Sequence, residues 1–250
     1  MTTGVITDRV TQAWPRLFAR IAGGLYLIII VGGIFAEIFV RGRLVIHGDA
    51  AATAHNIQAH ELLYRLGFVV EVFYCACNVP LILILYNLFK VVNKNVALMM
   101  ASFGLVANAI EGVSLLFHFA PLVLWGGGHY LSAFTAEQLN AAAYLSVQLF
   151  EHGFAISLVF FGFDCVTMAY LIVHSKFFPQ LIGVLLAIEG LGYLINSFSL
   201  FLAPALQVRI LPYFTATAIA EVALCLWLLV MGVDVQRWQE QAAAAVRGRS

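Results

Sequence analysis

The chain has 250 residues, of which 62% are hydrophobic and 10% charged, and its formal net charge is zero. Globular domains carry about 25% charged residues, so this composition excludes an ordinary water-soluble fold; the mean hydropathy of +0.94 says the same. A neutral chain also offers no electrostatic case for nucleic acid or an acidic partner.

Residues 1–17 precede the first apolar run and read as a cytoplasmic segment. The run from Ala19 to Val40 is longer than the ~7–15 residues of a signal-peptide core, and it ends in the bulky "EIFVRGR". It is therefore read as a span. Crossing a hydrocarbon core of about 30 Å takes about 20 apolar residues in a helix. Six runs qualify: residues 18–40, 62–91, 95–125, 145–174, 178–203 and 210–234. Lipid offers the backbone no hydrogen-bond partner, so these runs must be helices. The expectation is an all-α integral membrane bundle of six transmembrane helices over residues 18–234, with a cytoplasmic tail over 235–250.

The connections carry loop chemistry. "VNKN" (92–95) and "HSKFFP" (174–179) make tight hairpins, with Pro179 suited to a helix start. In the long connection 41–61, Asp49 predicts the cap of a short interfacial helix. In the other, 126–144, Gly126 to Gly128 break the chain, and Thr135 with Gln138 predicts a capping box opening another short helix. No internal repeat is evident, so an inverted-repeat transporter fold gains no support.

Lys and Arg near the span ends set orientation. With the N-terminus inside, nine lie inside (Arg9, Arg16, Arg20, Lys90, Lys94, Lys176, Arg237, Arg247, Arg249) and four outside (Arg41, Arg43, Arg65, Arg209). Both termini are expected in the cytoplasm and both long connections outside, with the lipid bilayer as the first partner. The four cysteines, Cys75, Cys77, Cys165 and Cys225, all fall in apolar runs and read as small buried hydrophobes.

Several stretches resemble a bacterial family of polytopic integral membrane proteins catalogued only as a domain of unknown function. They are "ARIAGGLYLIIIVGGIFAE", "GDAAATAHNI", "YRLGF", "LVFFGFDC" and "LIGVLLAIEGLGYLINSF", spread over about residues 18–203. The chain departs from the family pattern at Asn78, where an acid is common, and at Asp164, where His is common. The resemblance implies a six- or seven-helix protein of the bacterial inner membrane. It brings no activity and no catalytic residue.

The chemistry lies in the membrane carboxylates: Glu37, Glu71, Glu111, Glu151, Asp164, Glu189 and Glu221. Each costs about 2.5–3.5 kcal/mol at mid-bilayer on insertion scales, so they must face one another or water. Helical spacing supports an inward set. Glu71, Cys75 and Asn78 form one stripe; Asn108, Glu111 and His118 another; Gln148, Glu151 and His152 a third. Glu189, Tyr193 and Asn196 repeat the pattern, as do Thr217 and Glu221. Arg65 is the one cation read as well placed for these acids. Buried acids without a cation take up protons or bind a positive guest.

The candidate cavity set is therefore Arg65, Glu71, Asn108, Glu111, His118, Gln148, Glu151, His152, Glu189, Tyr193, Asn196 and Glu221. The preferred function is binding or transport of a small solute or cation, with proton linkage. One alternative is a membrane enzyme holding Zn, Fe or haem through His118 and His152 with Glu111 or Glu151, although no metal motif occurs and no cofactor is expected. Another is a non-catalytic membrane subunit, its acids serving only as interhelical glue.

Overall fold

The computed structural model describes residues 2–206 and 219–247; Arg209, Thr217 and Arg249 lie outside the described residues. Among them there is no strand. The helices in chain order are α1 (Thr2–Ile34), α2 (Ala50–Ala59), α3 (Glu61–Phe89), α4 (Lys94–Leu124), α5 (Ala136–His174), α6 (Gln180–Leu202), α7 (Ile219–Leu226) and α8 (Val235–Arg247). Among the described residues, five helical segments are long and apolar enough to cross a membrane: Trp14–Leu44, Glu61–Phe89, Lys94–Leu124, Ala136–His174 and Gln180–Leu202. A sixth is reached if Ile219–Met231 and Val235–Ala245, bent by 102°, count as one span. Side chains such as Leu62 and Leu116, 71% and 69% exposed, stand where only lipid makes their exposure favourable.

The caps form where their residue types predict. Asp49 Oδ1 accepts from Ala52 N at 2.8 Å and opens α2. Thr135 and Gln138 bond reciprocally, Thr135 N to Gln138 Oε1 at 2.9 Å and Gln138 N to Thr135 Oγ1 at 3.2 Å. The helix they open is not a separate interfacial piece, however. It runs unbroken into the span as α5, because no Gly or Pro interrupts residues 136–152; only a 3-10 turn, His129–Ala133, precedes it.

Two departures matter for function. The first span does not stop at Val40: α1 passes into a π-helical stretch, Phe35–Arg41, and then a last turn, Gly42–Leu44. The residues expected as a tail form α8, with Asp234 Oδ1 accepting from Arg237 N at 3.1 Å. On α8, Val235, Trp238, Ala242 and Ala245 are partly buried while Gln236, Arg237, Gln239 and Glu240 are exposed, a one-sided pattern.

The chain falls into two compact units: Met1–Leu27, Asn78–Ala107 and Leu158–Ser250 form the first, Ile28–Cys77 and Asn108–Ser157 the second. In the first unit, α5 and α6 meet through glycines. A Cβ added at Gly190 would stand 2.7 Å from the Gly162 carbonyl oxygen, so no larger residue fits without moving backbone. Gly23 likewise faces the Leu229 backbone, whereas Gly24 has open space. Also in the first unit, α8 lies against helix ends. Trp238 Nε1 donates to Leu88 O at 2.9 Å, Gln241 Nε2 to His174 O at 3.2 Å and an Arg237 guanidinium N–H to Lys176 O at 3.3 Å. The C-terminal carbonyls of α3 and α5, orphaned by helix geometry, thus find donors.

Candidate functional site

The second unit holds a buried ion cluster. The π-helical turn at Phe35–Arg41 adds a residue to the helical repeat and re-aims the side chain of Arg41; such bulges recur at functional positions. Arg41 is the one buried Lys or Arg among the described residues. Its Nε and a terminal nitrogen reach Glu37 Oε2 at 3.0 and 2.6 Å, and its other terminal nitrogen donates to Glu71 Oε1. The guanidinium also lies 4.7 Å from the Phe150 ring centroid. Glu71 has no exposure at all. Its second oxygen is 2.6 Å from His118 Nδ1.

His118 is 1% exposed and walled by rings: Tyr64 at 4.5 Å, Phe150 at 5.3 Å and Phe68 at 6.0 Å between centroids. Tyr64 O–H donates to the His118 carbonyl at 2.8 Å and fixes that turn of α4. His118 Nε2 has no hydrogen-bond partner among the described residues. One charge of the set reaches the surface, because the Glu37 side chain is 64% exposed. The result is a chain of ionisable groups, Glu37, Arg41, Glu71 and His118, running from an exposed carboxylate to a buried imidazole.

A second pair lies in the same unit: Tyr74 O–H donates to Glu111 Oε1. Asn108 Nδ2 donates to Cys75 O at 3.2 Å. Gln148 Nε2 donates to Glu151 Oε2 at 3.2 Å, both half-buried on α5. His152 points away: it is exposed, with Nδ1 2.7 Å from Gln148 O. His118 and His152 therefore do not share a buried pocket. Among the described residues no group of three or more His, Cys, Asp or Glu is arranged to hold a metal.

Arg65 does not reach the buried acids. It pairs with Glu61 at 2.7 Å, and both side chains are about half exposed. The two line a crevice of about 70 Å³ with Ile57, Gln58, Leu122, Trp125 and Gly126. The counter-charge for Glu71 comes instead from Arg41, which sequence reading places in an outside loop. The signal for it was Glu37 and Arg41 at i, i+4 on a run that is still apolar.

The first unit holds a different set. Glu189 on α6 has no exposure; its Oε1 accepts from Tyr193 O–H at 3.4 Å, the Glu221 backbone N–H lies beside its carboxyl, and Oε2 makes no hydrogen bond to another side chain among the described residues. Tyr26, Cys165, Tyr193 and Glu221 lie within electrostatic reach of Glu189, and Asp164 within reach of Glu221. Asn196 and Glu221 are half-buried on α6 and α7.

The chain is similar to an uncharacterized protein of Archaeoglobus fulgidus, 24% identical over 155 residues, which covers 62% of this chain and 76% of the relative. No solved structure matches it. A family profile described as a domain of unknown function, DUF4386, matches residues 21–232. With its apolar helices and a match over most of its length, the chain is a multi-pass membrane protein that belongs to the DUF4386 family.

Proposed function

We propose that this is a proton-linked membrane protein that binds or transports a small solute, with Glu71 and His118 as the proton-exchanging pair and Arg41 as its positioning partner. The observation that carries this reading is Glu71, wholly buried between a guanidinium and an imidazole. Arg41 is shared between Glu37 and Glu71. Adding a proton to Glu71 removes one of its two anionic partners and leaves the guanidinium to Glu37 alone. Protonation thereby changes what holds the π-helical end of the first span, which is how a proton is coupled to a conformational state. Exposed Glu37 gives the cluster a contact with water, and unpartnered His118 Nε2 gives it an acceptor in the interior.

The cellular setting of this reading is the bacterial inner membrane with both termini cytoplasmic. Nine Lys and Arg against four support that orientation. So does α8, whose bonds to Leu88, His174 and Lys176 put the C-terminal helix at the end where Lys176 lies.

The test is proton movement in proteoliposomes loaded with a pH dye. Wild-type protein should speed the collapse of an imposed pH gradient, and Glu71→Gln and His118→Gln should return the rate to that of protein-free vesicles. A wild-type rate equal to that of empty vesicles, or variants as active as wild type, would end the reading.

A further inference from the structure

We propose that the first unit carries a binding site for the headgroup of one anionic phospholipid, in the crevice between the α3–α4 hairpin and α8. The crevice has a volume of about 460 Å³ and is lined by Lys90, Asn93, Lys94 and Asn95 of the hairpin and by Ala245 of α8. All five belong to one unit, apart from the Arg41 cluster. The hairpin is tight because α3 stops at Phe89 and α4 starts at Lys94. Asn93 Oδ1 accepts from Asn95 N at 3.1 Å and from Val96 N at 3.2 Å, which caps α4 and leaves the Asn93 NH2 group to donate. Lys90 Nζ is steadied by Asn87 Oδ1 at 2.6 Å and lies 5.9 Å from the Tyr86 ring centroid. The α8 wall is held in place by Trp238 Nε1, which donates to Leu88 O at 2.9 Å, two residues before Lys90.

Two ammonium groups and amide donors around one crevice suit an anion with several oxygens. Lys90 and Lys94 are exposed, and neither forms an ion pair among the described residues. The acids of the α8 region are engaged elsewhere: Asp234 with Arg237 at 3.4 Å, and Glu240 with Gln236 at 3.2 Å. The place in the fold decides the source of the anion. Glu61–Phe89 and Lys94–Leu124 are both long and apolar enough to cross a membrane, so the turn between them emerges at the level of the headgroups. Lipid phosphates are the anions concentrated in that plane, and basic pockets between membrane helices take such headgroups. The volume suits a small polar group, since ligand sites run from about 300 to 1,000 Å³. A choline headgroup would bring a third cation beside two lysines. A glycerol headgroup brings hydroxyls, which the Asn93 and Asn95 amides can bond.

The experiment uses the full-length protein in neutral detergent micelles, with bound lipid counted by native mass spectrometry and stability read as a melting temperature. Phosphatidylglycerol should bind saturably, one lipid per chain, and raise the melting temperature. Phosphatidylcholine with the same acyl chains should do neither, and inorganic phosphate at the same concentration should leave melting unchanged. The double variant Lys90→Gln with Lys94→Gln changes only exposed side chains and should melt as wild type without lipid. Its affinity for phosphatidylglycerol should fall by about tenfold or more. Lys176→Gln removes an exposed lysine at the same end of the molecule but outside the crevice, and should keep the affinity. Equal binding of phosphatidylcholine, equal stabilisation by inorganic phosphate, an unchanged affinity in the double variant, or as large a loss in Lys176→Gln would each overturn the site. Should the double variant fail to fold, the two lipids on the wild type and Lys94→Gln alone still decide.

Discussion

The two units solve one problem in opposite ways. Each buries a glutamate completely on a helix long and apolar enough to span lipid, Glu71 in one and Glu189 in the other. The second unit supplies its own counter-charge, Arg41, held on the same chain and locked by Glu37. The first supplies phenols, a thiol and further acids around its glutamate. A built-in cation makes the charge a permanent part of the fold. Among the described residues the first unit buries no Lys or Arg. The contrast separates an acid gripped by a base of its own unit from one set among phenols, a thiol and other acids.

Four substitutions probe that contrast. The largest effect should follow Arg41→Met. It strips a buried carboxylate of its partner, and breaking a buried pair from one side costs about 3–5 kcal/mol. Adding Glu71→Gln to that variant should restore much of the loss, because the charge left behind is then gone. Denaturant or detergent unfolding of the single and double variants measures both. A double variant as unstable as Arg41→Met alone would break the comparison.

Glu189→Gln should act with the opposite sign. It replaces a buried acid that is bonded to Tyr193 and not to a base, and should leave the protein as stable as wild type, or more stable by about 1 kcal/mol. A loss comparable to that of Arg41→Met would show that Glu189 has a fixed counter-charge after all. The smallest effect belongs to Arg65→Ala. That cation is half exposed and pairs with Glu61, and exposed pairs are worth about 0.2–1 kcal/mol. A large loss there would restore Arg65 to the role that Arg41 occupies.

Local chemistry made much of this legible. Asp49 and the Thr135–Gln138 pair marked helix starts because capping is decided within four residues. The i, i+4 spacing of Glu189 and Tyr193 foretold their bond, since a helix brings those side chains together whatever surrounds it. The Glu71 stripe was visible, but its partner was not. His118 lies on another helix, and no local pattern shows which inward stripes meet. Arg41 was hidden for a different reason. A π-turn is imposed by packing, not by propensity, and an arginine at the edge of an apolar run looks like the start of a loop. The α8 helix was missed because few of its residues are bulky and apolar. Its ordered face is made by Trp238 and Gln241 donating to the ends of α3 and α5.

Those bonds set an order of assembly. Gly232 takes φ +69, a conformation open to glycine at little cost, and the chain turns there by the 102° that sends α8 across instead of onward. The carbonyls of Leu88, His174 and Lys176 belong to segments made early and midway through synthesis, and their donors come from residues 237–241. The early helix ends must therefore wait for residues 237–241 to be made before these hydrogen bonds close. A product cut short before α8 lacks these donors, so the ends of α3 and α5 are left to find others.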